Sequence, residues 1–167
     1  AGSATFEATA KRLGVLSHAL ELTYRDLRTT WNLGRHLPDD FPAYLARKDA
    51  EIPAATREKI EDTLGLSRTG IFDSHPSDGD RIRRARQAEE PGVFHLDMPA
   101  SVLLSNFKVP AMQVTQLHYS DDLGIVFDPS MLRPVEERNA AEGDATTGQS
   151  TAAAARSPIR IQVKPSA

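Results

Sequence analysis

Apolar residues recur every three, four or seven positions along the first part of the chain. The pattern is carried by Phe6, Leu13, Leu16, Leu20, Tyr24, Leu27 and Trp31. This spacing places the side chains on one face of an amphipathic helix. Ser3 or Thr5 can cap the start of the helix, and Gly34 can end it. A helix of about 28 residues is about 42 Å long, so we expect it to be a spine on which other elements pack.

Shorter apolar patterns, separated by proline and glycine signals, predict the remaining elements. The turn "LPDDFP" follows the first helix, and "IVF" at 125 to 127 is too short to force a strand. Further helices are predicted over residues 41 to about 52, 54 to 64, 77 to 89, 100 to 106 and 110 to 123. In the helix over 77 to 89, Ile82, Ala85 and Ala88 face inward. The predicted fold class is all-α, with five to six helices and the long first helix as spine.

The composition changes after Pro129. The rest of the chain is rich in Ala, Thr, Ser, Gly and charged residues and has few bulky apolar side chains. Such a segment buries too little surface to offset the entropy of ordering it. We therefore predict a helical domain over residues 1 to 128 and a low-complexity, mostly disordered tail over 129 to 167. Within that tail only "IRIQV" alternates like a strand, and it could dock on the protein.

Charge and composition exclude several classes of function. The chain has 167 residues, enough for one domain with a core, and a formal net charge of -3 argues against a duplex nucleic-acid partner. It has no cysteine, which excludes disulfides, thiolate zinc sites and a cysteine nucleophile. It also has no run of 18 apolar residues and no signal-peptide pattern.

The stretch "IFDSHPSDGDRIRR" at 71 to 84 contains an unusually large number of His, Ser, Asp and Arg residues. Ser77 and Asp80 have the spacing of a capping box, while Pro76 at the first helical position would instead make His75 the cap. In either case His75 lies at the amino end of a helix, where the dipole disfavours an imidazolium and leaves a neutral donor. An ordinary capped surface helix explains the same residues.

Other motifs of catalysis or ligand binding are missing from the sequence. No H-E-x-x-H, G-x-S-x-G, Walker loop or G-x-G-x-x-G occurs, and His18, His36, His95 and His118 are scattered. Arginines 81, 83, 84 and 86 could contact phosphate or lipid headgroups. One helical turn separates them onto different sides, which favours a solvated face.

The segment "SHPSDGDRI" at 74 to 82 resembles the His-Pro-x-x-x-x-Arg-Ile/Leu motif of the HtpX and CaaX prenyl-endopeptidase family. These are membrane zinc metallopeptidases, peptidase family M forty-eight. The opening "AGSATFEATAKRLGVLSHALELTYRDL" is similar to the helix that follows that family's third zinc-ligand segment, and "LPDDFPAYLA" also resembles large bacterial members. The resemblance covers about residues 1 to 127.

The resemblance implies a C-terminal helical fragment of a membrane-associated zinc metalloendopeptidase. The family holds zinc with H-E-x-x-H and a downstream Glu, which would precede residue 1, so the fragment would bind no metal and be inactive alone. His75 would stabilise the oxyanion of the reaction, and Arg81 would buttress the site by pairing with an acid. The abrupt helical start "AGSATF" is what a cut inside a longer protein, or a short scar followed by one, would give.

The implied partners follow from the same resemblance. They are the catalytic N-terminal half of the polypeptide, a protein or peptide substrate, and a membrane reached through the parent protein, with no nucleic acid. The parent would reside in a bacterial inner membrane and this segment would be soluble and cytoplasmic. The alternative is a non-enzymatic helical interaction module that docks a partner helix between the long first helix and the later short ones.

Overall fold

The computed structural model describes residues 2–93 and 98–135, and within them the chain is mostly helical. The helices are α1 (Ser3–Gly34), α2 (Phe41–Ala50), α3 (Ala54–Leu66), α4 (Asp78–Ala88) and α5 (Lys108–Leu117). Two-residue strands β1 (Leu37–Pro38) and β2 (Leu132–Arg133) pair in parallel. The all-α fold with a long first helix is confirmed. Within the described ranges, no helix has both the length and the apolar character that crossing a bilayer requires.

The buried stripe of α1 differs from the predicted one. Val15, Ala19, Thr23, Leu27 and Trp31 are buried, each four residues after the last. Of the predicted face only Leu27 and Trp31 belong to this stripe, and the remaining members are exposed or half-buried, Leu13 at 56%. The physical reason is that small side chains at 19 and 23 admit closer neighbours than the leucines beside them. The prediction from the sequence favoured the large apolar side chains of α1, and it therefore predicted the wrong, neighbouring face as the buried one.

The described chain divides into two compact units. The first consists of Ala1–Leu22 and Lys48–Val102, and the second of Thr23–Arg47 and Leu103–Ala167. The helix α1 contributes its beginning to the first unit and its end to the second.

In the first unit, the buried carboxylate of Asp49 joins two helices. The Nη1 and Nη2 atoms of Arg12 on α1 each lie 2.7 Å from one carboxylate oxygen. Arg57 on α3 lies 3.3 Å from the same carboxylate and donates to the Asp49 backbone oxygen at 2.8 Å. The hydrogen bond from Arg12 is the main cause of the lowered pKa of Asp49. At the start of α1, Ser3 N donates to Glu90 O at 2.8 Å, and Glu90 N donates to the Ser3 hydroxyl at 2.9 Å. These bonds hold α1 against the segment that follows α4.

The second unit has an aromatic and aliphatic core. Its buried members are Leu27, Trp31, Leu37, Tyr44, Tyr119, Leu123, Ile125 and Val135. The Tyr119 hydroxyl donates to Pro38 O at 3.0 Å, and Phe41 N donates to the Thr115 hydroxyl at 2.8 Å. These two bonds satisfy polar groups at the edge of the core. They link the turn after α5 to β1, and α5 to the start of α2.

The residues from Pro129 to Val135, assigned by composition to the tail, pack within the second unit. A 3-10 turn (Pro129–Met131) leads into β2, and Asp39 N donates to Arg133 O at 2.9 Å. Val135 is 9% exposed within the core. The remainder of the predicted tail, 136 to 167, lies outside the described residues.

The later helices lie where the sequence predicts them, but their bounds and buried residues differ from the prediction. The segment 100 to 106 forms only a 3-10 turn (Ala100–Leu103), and α5 begins two residues before Pro110. In α4, Ile82 is buried, Ala85 is half-buried and Ala88 is exposed. A π-helical turn (His118–Asp122) extends α5 to the predicted end. The stretch "IVF" forms no strand, although Ile125 enters the core.

Candidate functional site

The helix α4 begins at Asp78, with Ser77 as its cap. The Ser77 hydroxyl accepts a hydrogen bond from Asp80 N at 3.2 Å. Pro76 therefore precedes the cap, and the alternative in which His75 caps the helix is wrong. His75 lies two residues before the cap, at the end of the loop between α3 and α4.

Asp80 closes that loop on itself. Its carboxylate accepts from Thr69 N at 2.7 Å and from the Thr69 hydroxyl, and it also contacts Arg83. The contacts with Thr69, then the one with Arg83, hold the pKa of Asp80 well below its usual range. In a capping box this side chain would return to the Ser77 backbone N–H, but that group donates to the Thr69 hydroxyl at 2.9 Å. Asp80 thus ties α4 to the beginning of the loop.

Gly79 permits α4 to approach the end of α3. A β-carbon at this position would lie 2.3 Å from Ser67 O and 2.8 Å from Gly65 O. Gly79 N donates to the Ser67 hydroxyl at 2.8 Å, and Arg83 Nη1 donates to Gly65 O at 3.0 Å. The Gly65 carbonyl near the end of α3 is therefore satisfied by a side chain of α4. The helix junction is built by the residues that surround the His-Pro step.

The side chain of His75 is exposed, on a loop with both ends fixed. Upstream, Gly70 N donates to the Asp73 carboxylate at 2.6 Å, and Asp73 N donates to Gly70 O at 3.2 Å. Downstream, the Ser77 hydroxyl lies 3.1 Å from Ser67 O. An imidazole in this position is accessible to a ligand.

The arginines of α4 have separate partners. Arg81 lies 3.3 Å from the Asp78 carboxylate, and its guanidinium stands 5.3 Å from the centre of the Phe6 ring. Arg83 belongs to the Asp80 network, while Arg86 Nε donates to Glu7 at 2.7 Å. Arg84 is exposed. Arg81 does pair with an acid, and this pair lies next to α1.

An open groove of about 730 Å³ runs along the first unit beside Arg81. Its apolar wall includes Phe6 and Leu13 of α1, with Ile60 and Leu64 of α3. Asp78, Arg81, His18 and Lys59 supply charged or titratable groups, and several Ser and Thr hydroxyls complete the lining. The groove has the size and character of a site for an apolar side chain or helix face.

The described histidines other than His75 lie in separate surroundings. His18 lines the groove, and the His36 ring lies 3.2 Å from Gly34 O. His95 falls outside the described residues. Among the residues that the structure describes, no group of three His, Cys, Asp or Glu side chains is placed to hold a metal ion.

A chain of three polar side chains in the second unit was missed by sequence reasoning. The Tyr24 hydroxyl lies 3.0 Å from His118 Nε2, and His118 Nδ1 lies 2.8 Å from the Asp122 carboxylate. Burial, and then the charge of Asp122, raise the pKa of Tyr24. The spacing of His118 and Asp122 on one helical turn was visible in the sequence, but Tyr24 is 94 residues from its partner. Both ring nitrogens are occupied, so the group serves to orient His118.

Comparison with known proteins identifies no relative. No family model, no curated protein and no solved structure matches the chain.

Proposed function

We propose that this chain is the C-terminal helical portion of a zinc metalloendopeptidase, in which His75 donates a hydrogen bond to the carbonyl oxygen of the scissile peptide. The observation that carries the proposal is the exposure of His75 on a loop with both ends held. A donor must be positioned before the reaction to stabilise charge without reorganisation. The Asp80 network and the Gly79 contact provide that rigidity.

The chemistry requires an imidazole N–H that faces a developing negative charge. When water attacks a peptide carbonyl, negative charge accumulates on the oxygen, and a donor there stabilises the transition state more than the substrate. The amino end of α4, two residues beyond His75, is positive and favours a nearby anion. An oxyanion beside His75 would therefore also be stabilised by the helix.

Arg81 is proposed as a positioning residue. Its contacts with Asp78 and with the Phe6 ring hold the first turn of α4 beside α1. A cation over an aromatic ring adds about 0.5–1 kcal/mol at an exposed position. In this role Arg81 acts on the orientation of the loop that carries His75.

The zinc of the proposed enzyme does not fit the residues described in this chain. No set of three potential ligands meets among them. The metal would be held by a segment of the parent polypeptide outside these residues. The attachment of the parent polypeptide to a membrane is part of the same proposal. The role of His75 is the one that the resemblance to the HtpX and CaaX prenyl-endopeptidase family implies, and the exposed position of His75 on the held loop supports it.

The decisive experiment uses the parent polypeptide that contains an upstream H-E-x-x-H segment. His75→Ala should lower kcat by about 100-fold or more, with little change in KM, because the oxyanion exists only in the transition state. His75→Gln, which keeps an N–H donor, should recover part of that loss. Zinc content, measured by elemental analysis, should be the same in all three proteins.

The matched control is Ser74→Ala, which changes the exposed residue next to His75. It should retain the full kcat. A His75→Ala enzyme with unchanged kcat would contradict the oxyanion role, and a parent polypeptide without an H-E-x-x-H segment would contradict the peptidase itself.

The second candidate is a non-enzymatic module that docks a partner helix, and the groove of about 730 Å³ favours it. A helical peptide selected by display against the chain should lose its binding on Leu13→Glu, because Leu13 lines the groove and is 56% exposed. Leu66→Glu is the matched control, since Leu66 is 77% exposed and lies outside the lining. Equal loss of binding in both variants would remove this candidate.

A further inference from the structure

The outer face of α5 in the second unit carries exposed apolar side chains. Val114 is 57% exposed and Leu117 is 59% exposed. With Phe41 and Pro42 at the start of α2 they line an open depression of about 310 Å³. Large aliphatic side chains gathered beside an aromatic ring are typical of a docking surface.

One side of this depression is acidic. Asp121 and Asp122 belong to its lining, and no Lys or Arg is among the described residues that line it. The Asp122 side chain is 71% exposed although it contacts His118. A complementary ligand therefore has aliphatic side chains next to positive charge.

The chain itself contains such a segment after its last described residue. From 136 onward the only bulky apolar residues are Ile159, Ile161 and Val163. They stand with Arg160 and Lys164 in the sequence "SPIRIQVKP", and residues 145 to 167 contain no Asp or Glu. The apolar side chains of this segment match the apolar lining of the depression, and its positive charges match the acidic side.

We propose that residues 159–163 of the chain dock in extended form into the depression formed by α5 and the start of α2. In an extended segment, alternate side chains point to the same side. Ile159, Ile161 and Val163 would then contact Val114 and Leu117. The long side chains of Arg160 and Lys164 reach the Asp121 and Asp122 carboxylates at the rim. This inference is independent of the proposed peptidase role.

The connection allows this docking within one molecule. The described chain ends at Val135, which is buried in the core of the unit that contains the depression. The 23 residues from 136 to 158 can extend to about 80 Å at about 3.5 Å per residue. A connection of this length gives an effective concentration on the order of 1 mM. A free-peptide Kd of about 100 µM would then keep about nine tenths of the segments docked.

The test compares the methyl resonances of the full chain with those of a chain that ends at residue 155. Those of Val114 and Leu117 should differ between the two proteins by more than a linewidth. A peptide of residues 156–167, added to the shortened chain, should return them to their full-length positions. The Val126 methyls are the control, because Val126 is 93% exposed in the same unit and lies outside the depression.

Charge exchange tests the register of the complex. Asp121→Arg should weaken peptide binding about fivefold at low salt, and a peptide with Arg160→Glu should recover that loss on the Asp121→Arg chain. Val114 and Leu117 resonances that are identical in the full and shortened chains would overturn the proposal. Resonances that change with protein concentration, together with a dimer in sedimentation, would overturn it in favour of a second copy as occupant.

Discussion

Glu7 is held by two cations on the surface of the first unit. Arg86 Nε donates to its carboxylate at 2.7 Å, and Lys11 Nζ lies 3.0 Å away. The hydrogen bonds from Arg86 and then Lys11 lower the pKa of Glu7 from 4.5 to about 2. A single carboxylate thus links α4 to the first turns of α1.

The acid sensitivity of the protein should depend measurably on Glu7. Because its folded-state pKa lies below the ordinary value of 4.5, its contribution is fully present above about pH 4.5 and is lost as the pH falls toward 2. Glu7→Gln should therefore be less stable than wild type at about pH 6, and the difference should shrink at about pH 3. Urea unfolding followed by circular dichroism measures it.

The control for this prediction is Glu58→Gln, which changes an exposed acid on α3. Its difference from wild type should be small at both pH values. A Glu7→Gln protein whose deficit stays constant between them would show that the ion pairs of Glu7 do not contribute to stability.

At the residue scale, the exposure of His75 distinguishes it from the partnered His36 and His118. Those rings lie within hydrogen-bond distance of Gly34 O and of Tyr24 and Asp122. The sequence singled out His75 because of the His-Pro step and the helix that follows. It could not predict the partners of His118, because the Tyr24 side chain arrives from a distant helix.

At the scale of elements, the start of α4 is well predicted by the residues around it. Ser77, Pro76 and the two acids of the first turn are local signals for a helix start, and the structure begins the helix at Asp78. The role of Gly79 is different, since a β-carbon there would lie within 3 Å of two carbonyls of α3 and of the Ser67 carbonyl that follows it. A local pattern contains no information on that contact.

Removing the cap should weaken α4 without unfolding the protein. Ser77→Ala should lower the free energy of unfolding by about 1 kcal/mol, because the Asp80 N–H loses its acceptor. Urea denaturation measures the change, with Ser74→Ala as a matched control of unchanged stability. A Ser77→Ala protein as stable as the control would mean that another oxygen replaces the Ser77 hydroxyl.

At the scale of the whole molecule, the packing of the second unit includes residues 129 to 135, at the end of the described chain. The strand β2 pairs with β1 across Leu37 and Leu132, and Val135 enters the core that contains Trp31. Composition assigned these residues to the tail because their neighbours from 136 onward are polar and small. Packing therefore extends seven residues beyond the boundary that composition indicated.

Two shortened chains test this boundary. A chain that ends at Asp128 should be less stable than one that ends at Val135 by about 3 kcal/mol, since it loses the buried Val135 and the half-buried Met131 and Leu132 side chains. Trp31 is the only tryptophan of the sequence and lies in the affected core, so its fluorescence reports the unfolding of this unit. Equal denaturation midpoints for the two chains would contradict the prediction.

The amino-acid sequence by itself determined the helical class and the position of the five helices, and it placed the start of α4 within two residues. Caps, prolines and terminal glycines act on backbone groups only a few residues away, so a local pattern is sufficient to predict them. Only the tertiary structure decided which stripe of α1 is buried, why position 79 is glycine, and that residues 129 to 135 pack. Each of these depends on contacts between side chains from distant parts of the chain. The free energy of such contacts cannot be predicted from a short segment of the sequence.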